Sequence, residues 1–112
     1  MAMFRSLLVA FLLIVLAFTS IAVATDGWTL VPIFFGDIAA LNWRGQFNLD
    51  FLTYLILSGV WVGWRGGWSS GAVILGIIAA TLGMIFMATY LLYLLHKTSG
   101  DMKHVLLGVH AR

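Results

Sequence analysis

The stretch GAVILGIIAATLGMIFMATYLLYLL, from Gly71 to Leu95, runs for 25 residues without a charged side chain. An α-helix of about 20 apolar residues crosses the hydrocarbon core of a bilayer, with roughly 17–25 as the working range. A second uncharged run, SLLVAFLLIVLAFTSIAVA from Ser6 to Ala24, is 19 residues long. Between the two, Leu49 to Trp64 is nearly as apolar and carries one acid, Asp50, near its start. It reaches spanning length if its helix begins a turn earlier. The three runs predict an all-α membrane protein with three transmembrane helices plus one short interfacial or re-entrant helix.

Composition points the same way. Only 9% of the 112 residues are charged and 62% are hydrophobic, against roughly 25% charged in an average soluble domain. Mean hydropathy is +1.07. A single water-soluble domain of this size has too little interior to hide that much apolar surface. There is no Glu, and the acids are Asp26, Asp37, Asp50 and Asp101. A net charge of +2, spread from Arg5 to Arg112, makes no basic patch, so no nucleic-acid partner is expected. The absence of Cys excludes disulfides, thiolate metal sites and thiol nucleophiles.

The whole chain, 1–112, reads as a single membrane domain. Helix one is Phe4–Ala24, the interfacial segment 28–43, helix two 47–64, helix three Gly71–Leu95, and His96–Arg112 a polar tail. Met1–Arg5 is also a short positive leader, and Ala22-Val23-Ala24 fits a small-x-small cleavage pattern. A cleaved signal is thus the alternative to a retained first helix; the length of the run favours retention. Within the long connection, Leu30–Leu41 is apolar but interrupted by Pro32, Gly36 and Asp37, too short to cross unaided. Trp28 and Trp43 would anchor it at the headgroups. The expected location is a membrane, with the bacterial inner (cytoplasmic) membrane as the specific expectation and the bilayer itself as first partner.

Aromatic and basic residues set an expected orientation. Trp61, Trp64 and Trp68 cluster at the turn between helices two and three. Trp43, Tyr90 and Tyr93 would lie at the opposite surface if those helices were antiparallel. With three spans, Arg5 and Arg65 share one side, and Arg44, Lys97, Lys103 and Arg112 the other, which places the C-terminal tail in the cytoplasm. A fourth span through Trp28–Leu41 divides charge more cleanly but is only about 14 residues long, short of what a bilayer requires.

Gly59, Gly63 and Gly67 recur every four residues, and Ala72, Gly76 and Ala80 repeat the spacing, joined by Gly83. Small residues let helix backbones approach in lipid, where hydrophobicity offers no drive to associate. The short intervening turn makes an intramolecular hairpin the expected use, with a homodimer face as its rival. At 100° per residue, Asp50, Tyr54, Leu57, Trp61 and Trp64 form one stripe, opposite Gly59 and Gly63. That stripe is the expected partner-facing surface.

Chemistry is sparse. Asp50 is the only acid inside an expected span, and intramembrane ionisable residues are functional candidates by default. It would serve as a proton-carrying acid, a polar contact to a partner helix, or a ligand group assisted by Tyr54. Against these stands capping: with Asn48 as N-cap, Asp50 falls in the first turn, where the helix dipole favours a carboxylate. His96, His104 and His110 are spaced by eight and six residues, so no helical turn gathers them, and no metal or cofactor is expected. There is no phosphate loop, no zinc-protease motif and no nucleophile elbow.

The segments Phe34-Phe35-Gly36-Asp37-Ile38-Ala39-Ala40-Leu41-Asn42 and Phe47-Asn48-Leu49-Asp50-Phe51-Leu52, with the later Tyr90-Leu91-Leu92-Tyr93-Leu94-Leu95, carry a resemblance over roughly residues 30–97. They resemble a family of small bacterial integral membrane proteins of unknown function, sometimes grouped with integral-membrane terpene cyclases. Trp43 stands where that family commonly has Pro. The resemblance implies acid-initiated chemistry on an isoprenoid, with Asp50 as the acid. The reading taken from the residues themselves is a non-enzymatic accessory or packing partner of a larger membrane protein. An enzyme acting on an isoprenoid or lipid-like substrate comes second, and a small oligomeric transporter third.

Overall fold

The computed structural model describes residues 2–111, which are all-α, with no strand among them. Helix α1 (Ala2–Asp26) is two residues longer at each end than the sequence reading of helix one. It stops where Gly27 takes φ +71, and the Gly27 N–H closes on the Val23 carbonyl at 2.8 Å. Glycine in the left-handed region is the usual way to end a helix. Nearly all of α1 is bare: Leu8 is its one buried residue.

After a three-residue link, α2 (Leu30–Ala39) is a ten-residue helix with no buried residue. Pro32 lies in its first turn, where a missing N–H costs no intrahelical bond. Helix α3 (Trp43–Arg65) then begins four residues before the expected 47, and Asn42, not Asn48, is its N-cap. The Asn42 side chain accepts from the Gly45 N–H at 2.9 Å. Gly45 lies under α2 so closely that any Cβ there would meet the Asp37 carbonyl. Asn48 instead donates from Nδ2 to the Phe34 carbonyl at 3.1 Å, tying α3 back to α2. Trp43, expected in the connection, is the first residue of α3.

The expected helix three is two helices. Helix α4 (Ser70–Leu82) and helix α5 (Met84–Lys97) are separated by Gly83 at φ +64, ψ −134. A side chain disfavours that conformation, which glycine adopts freely. The break reverses the chain. Gly83 sits where a Cβ would be 3.3 Å from the Phe51 ring and 3.4 Å from Leu55, toward the N-terminal half of α3. Seven residues later the Tyr90 hydroxyl meets Arg65 at the other end of α3. Helix α5 therefore runs back toward the Arg65 end of the molecule and packs antiparallel to α1, with Arg5 Nη2 donating to the Leu95 carbonyl at 3.3 Å. Tyr90 and Tyr93 consequently belong to the same end of the molecule as Trp61, Trp64 and Trp68, opposite to the sequence expectation.

The polar tail is ordered as well. Asp101 caps helix α6 (Met102–Leu107), which passes into a 3₁₀ turn at Gly108–His110. Gly108 lies against the Arg65 carbonyl, closer than a side chain permits. Arg112, counted with the tail in the orientation reading, lies outside the described residues. The core is small and gathered at this end: Leu8, Val62, Ala79, Ala88, Tyr90, Leu94, Leu95 and Val105 form one buried cluster. The molecule is elongated, 47 × 28 × 23 Å.

Candidate functional site

Helices α3 and α4 meet along the small residues. A methyl group on Gly59 would lie 2.6 Å from the Gly76 carbonyl oxygen and 3.3 Å from Ala80 Cβ; one on Gly76 would lie 2.6 Å from the Gly59 carbonyl. Ala72 fills the space beside Gly66, and a methyl group on Gly63 would lie 2.6 Å from the Trp68 ring. Backbone thus touches backbone within one chain. Gly83, grouped with these residues by spacing, is instead the point of reversal. A shallow groove of about 240 Å³ runs along this hairpin, floored by Gly59, Gly63 and Gly76 and walled by Ile56, Val60 and Ile77.

The stripe read as partner-facing divides in two. Asp50, Tyr54 and Leu57 are exposed. Trp61 and Trp64 are engaged by the chain's own tail, Trp61 half-buried and Trp64 still partly open: Trp61 Nε1 donates to the Leu106 carbonyl at 3.0 Å, and Trp64 stacks on His110 at 4.1 Å. His110 Nε2 also lies 2.9 Å from the Trp64 carbonyl. The partner of the upper stripe is therefore α6 and the turn after it. Of the expected headgroup anchors, Trp28, Trp43, Trp68 and Tyr93 are exposed, whereas Tyr90 is buried in the core.

Arg65 is the hub that sequence reading missed. Its Nε donates to the Val105 carbonyl at 2.8 Å, Nη1 to the Tyr90 hydroxyl at 2.9 Å, and Nη2 to the His104 carbonyl at 2.9 Å. The planar fork of guanidinium donors suits such multiple capture, which an ammonium group does not reproduce. Two of these acceptors are carbonyls in the C-terminal half of α6, where a cation is favoured; that of His104 also accepts the Gly108 N–H. The signal available beforehand was slight: one Arg directly after a Trp-rich helix end.

Around the tail, Asp101 Oδ1 accepts from the Lys103 N–H at 3.1 Å and Oδ2 pairs with His104 Nδ1 at 2.5 Å. The hydrogen bond to His104 holds the Asp101 carboxyl below its ordinary value of 3.8. At the other end Arg44 approaches Asp37 at 3.8 Å, so its partner is that carboxylate. A cleft of about 270 Å³ opens between the end of α1 and α2, with Asp26, Thr19 and Thr29 among mostly apolar walls. Asp50 lines neither this cleft nor the α3–α4 groove.

Asp50 is also not a first-turn residue. With the cap at Asn42, it is the eighth residue of α3, beyond the turn over which the dipole acts. The capping account of this acid fails for that reason. Its main-chain carbonyl accepts the Thr53 hydroxyl at 2.6 Å, and its carboxylate has no ion-pair partner among the described residues.

No family model, curated protein or solved structure matches the chain.

Proposed function

We propose that this is a small integral membrane protein acting as a non-enzymatic accessory, packed against a larger membrane assembly. The observation carrying the reading is α1: 25 residues, mean hydropathy 2.9 over its most apolar window, and only 6% of that window buried. Such a helix is about 37 Å long at 1.5 Å per residue and has no intrachain cover for most of its surface. A signal sequence passes the same length test; Leu8 in the core and the Arg5–Leu95 bond support a retained helix.

Helix α3 is the second proposed crossing. Arg44 and Arg65 are 21 residues apart, about 31 Å along a helix, close to the roughly 30 Å hydrocarbon thickness. Helices α4 and α5, at 13 and 14 residues, are each about 20 Å long and fall short. In this reading they dip in from the Arg65 side and return at Gly83. Backbone irregularity at that depth is tolerated where protein covers it, and Phe51 and Leu55 cover Gly83. Arg5, Arg65, Lys97 and Lys103 then share one side, facing Asp26, Asp37 and Arg44 on the other, with Asp50 inside the α3 crossing. The positive-inside tendency puts the first side in the cytoplasm.

Mild detergent extraction followed by co-purification tests the accessory role; a strictly monomeric particle without an associated chain refutes it. The topology is tested by single-cysteine labelling, which a chain without Cys permits directly. Cysteines at Gly67 and Ser99 should label from the same side, and one at Thr29 from the other. Labelling of Gly67 and Ser99 from opposite sides restores three spans.

A further inference from the structure

We infer that the Asp50–Tyr54–Leu57 face receives a partner's membrane helix that presents a lysine or arginine at the depth of Asp50. This rests on the accessory reading above and names the chemistry of its contact. The face is open: Tyr54 is 68% and Leu57 63% exposed, and Phe47, Leu49 and Phe51 around the acid are all at least 50% exposed. An unpaired carboxylate thus stands among exposed apolar side chains, with Gln46 and Thr53 as its uncharged polar neighbours on the helix. It lies six positions after Arg44, about 9 Å along the helix, which in the proposed topology carries it past the headgroups and into hydrocarbon.

Among the described residues no cation pairs with it. Arg44, the nearest cation in sequence, points to Asp37, and the helix dipole acts a turn too early. A charge in that medium requires a counter-charge or neutralisation. A cation from outside satisfies the carboxylate and, at the same time, meets the Tyr54 ring one turn on, a favourable surface for ammonium or guanidinium. A second copy meeting face to face in parallel would instead set carboxylate beside carboxylate, which repels. The upper limit of the contact is set by the tail, which already occupies Trp61 and Trp64.

The test uses the full chain in phosphatidylcholine vesicles with a poly-leucine transmembrane peptide bearing one lysine at the matching depth. Energy transfer between labelled chain and peptide should report association at least tenfold tighter than with the all-leucine peptide. Asp50→Asn should abolish that preference and Asp50→Glu retain it. Equal association of both peptides, or a preference unaffected by Asp50→Asn, overturns the inference, as does Asp50-independent self-association that excludes the lysine peptide. Unchanged thermal unfolding of Asp50→Asn in detergent verifies that the variant is folded. In native membranes the two readings separate: a co-purifying chain retained by Asp50→Asn removes this contact but leaves the accessory role. Loss of every co-purifying chain from the wild type removes the role itself.

Discussion

Around Arg65 the polar groups are answered from within the chain: guanidinium to two carbonyls and a phenol, indole to carbonyl, imidazole to carboxylate. Around Asp50, some 22 Å away along the same helix, the carboxylate has no such answer among the described residues, and the surrounding rings are exposed. The core is likewise lopsided, with Val62, Tyr90, Leu95 and Val105 at the first end and no buried residue in α2 at the second. Stability is concentrated where the tail folds back. The surface left unsatisfied is where another molecule has something to gain.

The contrast can be broken most severely at Arg65. Arg65→Met removes three charge-assisted hydrogen bonds and strands the Tyr90 hydroxyl, and should cost about 3 kcal/mol. Denaturant unfolding in detergent checks this, together with faster proteolysis at Ser99–Asp101. Arg65→Lys should recover less than half, because the fork is lost. Next comes Gly76→Ala, whose Cβ would press on the Gly59 carbonyl at 2.6 Å. Forcing the two backbones apart should cost about 2 kcal/mol. Gly36→Ala is the matched control: nothing lies within 4 Å, so helix propensity should stabilise by up to about 1 kcal/mol.

Gly83→Ala should cost about 1–2 kcal/mol through its positive φ. Amide exchange at Met84–Met87 should rise as the reversal loosens. The smallest effects sharpen the comparison. Asp50→Ala in the isolated protein should alter stability by no more than about 0.5 kcal/mol, whereas partner binding should suffer. Acid provides a further probe of the clamped end. Because the Asp101 carboxyl is depressed in the folded chain, its contribution is complete above the unfolded value and is lost as pH falls through the folded one. Exchange protection at Val105 should therefore hold at neutral pH and decline below about pH 4.

Part of this was readable beforehand. The length of α1 follows from an uninterrupted apolar run. The meeting of Gly59 with Gly76 and Ala80 follows from four-residue spacing across a short turn. What spacing does not encode is the sign of a dihedral angle. Gly83 sits in an apolar stretch as Gly76 does, and one is a packing surface while the other turns the chain around. The choice of cap was similarly hidden: Asn42 and Asn48 are both competent, and the decision came from α2, which needs Gly45 inside the helix to approach it. Asp50 changed meaning with that choice, from a capping acid to an unpaired one. Arg65 was illegible because two of its three acceptors are backbone carbonyls 39 and 40 residues away, and carbonyls carry no sequence signature.

The Arg5–Leu95 bond joins residues 90 apart, and it bears on biosynthesis. At about 5–20 residues per second, ribosomes take roughly 5–18 s to travel that distance. For that interval the first helix has emerged without the neighbour against which Leu8 is eventually sealed. On the proposed reading of α1 as a retained crossing, the nascent chain must park it in lipid, or on an insertase or chaperone, until the last helices are made.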